Sequence, residues 1–232
     1  LWFVDLGQRD VFVTRIVSGL VTGLAFGAVT FVLLFVNMRI ARSMAPRALL
    51  TSVGDLPPQL EEAVIRLRSK TGPVLDRIVI WGSVIAALLV GLAMAEQWDI
   101  FRLALTGTRF GETDPQFGRD IGFYVFTLPA LRMVADWLPV ILGFTLLATA
   151  LVHVIDGAIQ PWARFKGFAP HVKAHLSVLL GLIVASQAFS YYLDIYELNY
   201  SPRGQVTGAS YTDVHAQLPA LRILIAIAVL SA

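Results

Sequence analysis

The chain has 232 residues, of which 56% are hydrophobic and 15% charged, and its mean hydropathy is +0.71. Soluble domains carry about 25% charged residues, so this composition excludes disorder, a coiled coil and a collagen-like fibre. The absence of cysteine excludes disulfide scaffolds, zinc–thiolate sites and iron–sulfur ligation, and a net charge of +2 excludes a nucleic-acid-binding surface.

Long stretches without charge set the organisation. Ile16–Met38, Ile78–Ala95 and Trp137–Ile155 contain no Asp, Glu, Lys or Arg, and neither does Ala174–Leu193, whose one histidine is His175. A fifth apolar run starts at Ile223 and is shorter than the ~20 residues a spanning helix needs. None of these runs alternates in polarity, and in hydrocarbon every backbone amide must be paired within its own segment, so each reads as a helix. The expectation is an all-α, polytopic transmembrane helix bundle. It has at least five spans, about 16–38, 78–95, 137–155, 174–193 and a truncated 223–232. With Leu1 at its start and this run at its end, the chain reads as a fragment whose remaining spans lie elsewhere in the protein.

Orientation follows from lysine and arginine in the connections. Segment 39–77 holds seven basic residues against four acidic, and 156–173 holds three against one. Segment 96–136 has six acidic residues against four arginines, and 194–222 has three against two. The predicted cytoplasmic loops are therefore 39–77 and 156–173, and the predicted outer segments are 1–12, 96–136 and 194–222. All six tyrosines fall in or beside the outer segments, where amphipathic rings favour the headgroup level. The expectation is a multi-pass membrane chain.

Span one carries Gly19, Gly23 and Gly27 at four-residue spacing, which lines one face and admits a neighbouring helix at close range. In loop 39–77, Leu60, Val64 and Leu67 share a helical face and Glu62 and Arg66 form an i,i+4 pair, ahead of a stop at Gly72-Pro73. That segment is either a short solvated helix or an in-plane helix on anionic lipid. Outer segment 96–136 contains Glu112, Asp114 and Asp120 around two glycines, read as a turn with internal salt bridges to Arg119. The apolar stretch Ile121–Leu128 that follows is too short to span, and is expected to lie in the interface or dip into protein.

An internal repeat links the outer segments. Asp99-Ile100-Phe101-Arg102-Leu103 matches Asp194-Ile195-Tyr196-Glu197-Leu198, and Leu128-Pro129-Ala130-Leu131-Arg132 recurs as Leu218-Pro219-Ala220-Leu221-Arg222. The unit is helix, outer segment, helix, repeated in parallel, a pattern shared by transporters and by scaffolds. Asp194, Arg132 and Arg222 are the outer residues this pattern singles out, and Asp114 and Asp120 of the 111–120 turn complete the outer motif.

One set of titratable residues converges. His153 and Asp156 sit at the inner end of span three, and His171 and His175 lie one turn apart at the start of span four. Two imidazoles and a carboxylate are divalent-metal donors or a proton relay. Groups tolerated at a membrane interface would look the same. Phosphate-binding, zinc-protease, nucleophile-elbow and dinucleotide motifs are absent from the sequence, so no catalytic residue is assigned, no cofactor is identified and an enzyme is not the favoured reading.

Several strings carry a family resemblance. They are Trp2-Phe3-Val4-Asp5-Leu6-Gly7 with Asp10-Val11-Phe12-Val13-Thr14-Arg15, then Asp114-Pro115-Gln116-Phe117-Gly118-Arg119-Asp120-Ile121-Gly122-Phe123-Tyr124, then Ala174-His175-Leu176-Ser177-Val178-Leu179. Tyr192-Leu193-Asp194 and Gly208-Ala209-Ser210-Tyr211-Thr212-Asp213-Val214-His215 follow downstream. Together they resemble the bacterial multispanning group known as uncharacterised protein family 0182, over essentially the whole chain. The resemblance implies about seven spans followed by a large extracytoplasmic part of the same protein, and it implies no reaction. The expected partners are the lipid bilayer, the missing spans and outer region, and other membrane proteins. Three functions are open: an accessory or structural subunit of an envelope complex, a transporter or channel, and a membrane enzyme or metal-binding protein using the His/Asp set.

Overall fold

The computed structural model describes the backbone of residues 7, 9–53, 58–156, 169–201 and 208–232, with side chains for these except 45–53 and 58–71. The chain forms α1 (Arg9–Val53), α2 (Pro58–Ala95), α3 (Trp98–Thr106), α4 (Leu128–Ile155), α5 (Pro170–Glu197) and α6 (Leu218–Ser231). Among the described residues the only β pairing is one antiparallel bridge, Thr113 with Asp120. The fold is all-α, as the composition requires. Trp2–Leu6 of the first family string, the side chains of Leu60, Val64 and Leu67, and the Glu62–Arg66 pair lie outside the described residues.

Among the described residues five helical stretches are long and apolar enough to cross a membrane: Arg9–Met44, Gly72–Ala95, Phe123–Ile155, Pro170–Tyr200 and Asp213–Ser231. Their exposed faces are aliphatic, for example Leu88, Leu89 and Leu92 on α2 and Val140, Leu147 and Leu151 on α4. Hydrocarbon is the solvent that such faces fit.

The helices run further than the charge-free stretches, and two expectations change with them. Gly72-Pro73 does not stop a helix, because α2 continues through Pro73. A proline inside a helix costs a backbone bond. Here an outside donor joins the same stretch, since Arg42 Nη2 donates to the Gly72 carbonyl at 3.0 Å. Ile121–Leu128 is not a separate interfacial or re-entrant piece either. Its residues form the first turns of the helix that becomes α4.

Those first turns carry the internal repeat in backbone form. Phe123–Thr127 is a π turn running into α4, and Asp213–Gln217 is a π turn running into α6. The Leu128 N–H reaches back to Phe123 O, and the Leu218 N–H to Asp213 O, five residues each time. Pro129 and Pro219 come next, with no N–H to give and rings that crowd the preceding turn. Widening that turn to π geometry removes the conflict without ending the helix. Each entry is capped by a short polar residue. The Gly122 and Phe123 amides donate to the side chain and carbonyl of Asp120 at 2.7 and 2.9 Å. The Asp213 and Val214 amides donate to the hydroxyl and carbonyl of Ser210 at 3.3 and 3.1 Å.

Contacts divide the chain into two compact units, one of Leu1–Gly23, Met94–Ile141 and Leu180–Ala232, the other of Leu24–Ala93 and Leu142–Leu179. The first has an aromatic core in which Tyr124, Leu128, Ala135, Leu193 and Tyr196 are buried, with Phe117, Phe123 and Phe189 packed on them. Leu198, Leu218 and Leu221 form a second cluster in the same unit. The second unit buries Leu34, Met38 and Ala41 of α1 with Leu75 and Val79 of α2, Leu142 and Val152 of α4, and Val172 and Leu179 of α5.

Gly19 and Gly27 of α1 meet backbone. A Cβ on Gly27 would lie 2.9 Å from the Ala87 carbonyl oxygen, and one on Gly19 would lie 3.2 Å from that of Ala95. Gly23 is also buried. Gly82, a weaker part of the same pattern, is open, with nothing within 4 Å.

Candidate functional site

In the second unit the helices bury polar side chains as well as apolar ones. Thr145, Thr149, His153 and Asp156 follow one another at one-turn intervals on α4 and its C-terminal end, and all four are buried. Thr30 of α1, Ser83 of α2 and His175 of α5 are buried too. Hydrocarbon-spanning helices disfavour such groups, so a face of this kind is a functional candidate.

The hydrogen bonds sort the sequence-derived set. His153 Nε2 lies 3.3 Å from His175 Nδ1, and the rings meet edge to face. His175 Nε2 is 3.0 Å from Asn37 Oδ1. Asp156 goes elsewhere: its Oδ1 accepts from Arg42 Nη1 at 2.8 Å, while Arg42 also holds Asp76 at 3.1 Å. His171 has a buried Nε2 without a hydrogen-bond partner. His153 and His175 are thus brought together, and Asp156 is drawn into an arginine pair. Among the described residues no three His, Asp or Glu side chains are placed to hold a metal ion.

Asn37, Arg42, Asp76, Thr30, Thr145 and Thr149 are site residues that the sequence reading missed. The four-residue spacing of Thr145, Thr149 and His153 was visible and would have marked one helix face. Arg42 looked like a loop residue, because α1 continues past the charge-free stretch.

The first unit holds the outer-motif residues. Asp114 is an amide collector: Oδ1 accepts from the Gln116 and Phe117 N–H at 2.8 and 2.9 Å, and Oδ2 from the Arg119 N–H at 3.1 Å and the Tyr124 hydroxyl at 2.7 Å. Gly118, at φ +64°, closes the turn by donating to the Asp114 carbonyl at 3.0 Å. Asp120 accepts from the amides of Phe110, Gly111 and Gly122. The expected salt bridges to Arg119 are replaced by backbone amides. The Arg119 guanidinium instead reaches the Tyr196 hydroxyl at 3.2 Å and sits over the Phe123 and Tyr196 rings. Amides that already point inward satisfy a carboxylate without ordering a long side chain, which is why they prevail.

Burial alone would raise the Asp114 carboxyl, but the Phe117 amide, the Tyr124 hydroxyl and the Arg119 amide outweigh it and hold the pKa at about 2. A depressed carboxyl contributes order above its unfolded value near 3.8, and that order is lost as pH falls through about 2. Amide exchange at Gln116, Phe117 and Arg119, corrected for intrinsic rates, is therefore expected to stay protected down to pH ~4 and to lose protection from there towards pH ~2. An Asp114→Asn variant should show weaker protection with no such step. A step centred at or above pH ~4 in the parent would contradict the hydrogen-bond assignment.

Arg132 joins the ends of α4 and α5. Its Nη2 pairs with Asp194, its Nε with Glu197 Oε1 at 2.6 Å and its Nη1 with Ser190 Oγ at 3.0 Å. Asp136, one turn along, stands 3.9 Å from Nη1. Arg222, the same residue of the second pentapeptide, is exposed. One string thus serves two environments.

A family model described as Uncharacterised protein family (UPF0182) matches residues 1–232. The chain belongs to the UPF0182 family. Similar UPF0182 proteins come from Bradyrhizobium diazoefficiens (35% identical, covering 100% of this chain and 25% of the relative), Saccharopolyspora erythraea (37%, 100% and 24%) and Mycobacterium avium (37%, 100% and 23%). The chain therefore spans about a quarter of the length of the curated UPF0182 relatives it matches. No solved structure matches it.

Proposed function

We propose that this UPF0182 chain is a multi-pass base in the bacterial plasma membrane, a structural subunit that carries the rest of a longer protein within an envelope assembly. The observation that carries the reading is the cap of the first unit. There, Asp114 and Asp120 fold the 107–122 loop onto its own amides, and Arg132 ties the helix ends together. A loop whose polar groups are satisfied internally is a preformed platform, and large apolar and aromatic side chains stand out from the same unit: Leu105, Phe110 and Tyr211. Preformed surfaces bind with little ordering cost. The lengths of the relatives fit a base that bears further mass, and the acidic excess of 96–136 and 194–222 supports an outer position for both.

The test is the native mass and composition of the full-length protein, gently solubilised from its own membrane. Stoichiometric companion proteins are expected. A single species with no companion that moves a solute in vesicles would overturn the subunit reading and favour a transporter or channel, the alternative that the buried polar face of α4 supports.

A further inference from the structure

The hydrogen bonds around His153 have a direction, and it starts at Asn37. The Asn37 Nδ2 donates to the Leu33 carbonyl at 2.7 Å, one turn back on α1. An amide nitrogen donates and an amide oxygen accepts, so this bond fixes which end of Asn37 faces α5: its Oδ1 is the atom 3.0 Å from His175 Nε2. That histidine nitrogen must carry a proton. A neutral imidazole has one N–H and one lone pair, so His175 Nδ1 is an acceptor. The atom facing it at 3.3 Å, His153 Nε2, must then be the donor. The same rule leaves His153 Nδ1 as a bare lone pair. It has no hydrogen-bond partner, on a residue with 0% exposure.

We propose that His153 and His175 form a one-proton binding site inside the helix bundle, with His153 Nδ1 as the atom that receives the proton. An arriving proton bonds to the Nδ1 lone pair and makes His153 an imidazolium. Its Nε2 proton can then cross to His175 Nδ1, which leaves His153 neutral with its hydrogen on Nδ1 and puts the positive charge on His175. The path ends there, because the amide oxygen of Asn37 accepts the His175 Nε2–H but does not carry a proton onward. The pair therefore holds one proton between two rings and is closed on the α1 side.

The surroundings fit a single added charge and oppose two. On α5, His171 lies one turn from His175. On α4, Asp156 follows His153 by one turn, yet its charge is met by Arg42 of α1, which also meets Asp76 of α2 together with Arg39. Among the described residues the nearby carboxylates, Asp156 and Asp76, are each met by arginine, and two adjacent cations in a low-dielectric interior repel strongly. Thr149 precedes His153 by one turn, and its buried hydroxyl lacks a hydrogen-bond partner, as does that of Thr30. Buried waters bind at unpartnered polar groups of this kind.

The experiment is nitrogen-15 histidine NMR on the full-length protein in lipid, with the pair recognised by the nitrogen–nitrogen coupling across its shared hydrogen bond. At neutral pH both rings are expected as Nε2–H tautomers. On acidification both should shift together with uptake of one proton in total. Asn37→Leu, which removes the anchor, should abolish the fixed tautomer of His175. An Nδ1–H tautomer of His153 at neutral pH, or separate uptake of one proton by each ring, would overturn the proposal. The tautomer reading needs no variant, so poor folding of Asn37→Leu leaves the test intact.

Discussion

Arg132→Ala is expected to destabilise the protein by about 2–3 kcal/mol. Removing one member of a fully buried ion pair typically costs about 3–5 kcal/mol, because the partner charge is left without compensation. The Arg132 side chain is 21% exposed, but Asp194 and Glu197 are 34% and 37% exposed, so water recovers part of the loss. Two carboxylates and the Ser190 hydroxyl lose a partner at once, which keeps the effect well above that of a surface pair. The matched control is Arg222→Ala. It removes the same residue from the same pentapeptide at an exposed position, and should fall within about 0.5 kcal/mol of the parent. Thermal unfolding of both variants in one detergent checks the difference. Equal losses would mean that the repeat, not the Asp194–Glu197 pair, sets the role of the arginine.

Gly27→Leu is expected to cost about 3 kcal/mol or more and to loosen α1 from α2. A Cβ at Gly27 would already stand 2.9 Å from the Ala87 carbonyl oxygen and 3.6 Å from the Gly91 Cα. Backbone cannot move aside as a flexible side chain can, so the helices must separate or tilt. Gly82→Leu gains the same helix propensity, roughly 0.8 kcal/mol, at an open position. The difference between the two variants therefore isolates packing. Small residues that let backbones approach are what hold helices together when lipid removes the hydrophobic drive. A Gly27→Leu protein as stable as Gly82→Leu would show that α1 and α2 are not in close backbone contact.

What the sequence disclosed follows from the physics of each feature. The charge-free runs marked the helices because hydrocarbon leaves the backbone no other state. They did not mark the ends, since helices continue into polar sequence wherever side chains such as Arg42 find partners. Leu128–Arg132 and its copy were visible as a string, whereas the π turns before them were not. Those turns arise from the conflict between a proline ring and the turn preceding it, and composition does not show that conflict.

The site divides the same way. His153, Asp156, His171 and His175 were legible as a set because they are titratable groups at the adjoining ends of consecutive charge-free runs. Which of them meet depends on Asn37 and Arg42, which come from a helix distant in sequence. No local pattern links Asn37 to His175. The Gly19, Gly23 and Gly27 stripe was legible because close approach demands a missing side chain. The role of Asp114 was not, since any turn offers amides and only the folded loop shows how many of them one carboxylate collects.

The most direct test of the platform is photo-crosslinking from positions Phe110 and Tyr211, which are 56% and 76% exposed on the first unit. A photoreactive phenylalanine at each site, in full-length protein in its own membrane, reports what lies against the cap. Crosslinks to residues of the same polypeptide outside 1–232, or to a stoichiometric companion protein, are expected. Crosslinks to lipid alone from both positions would contradict the platform reading.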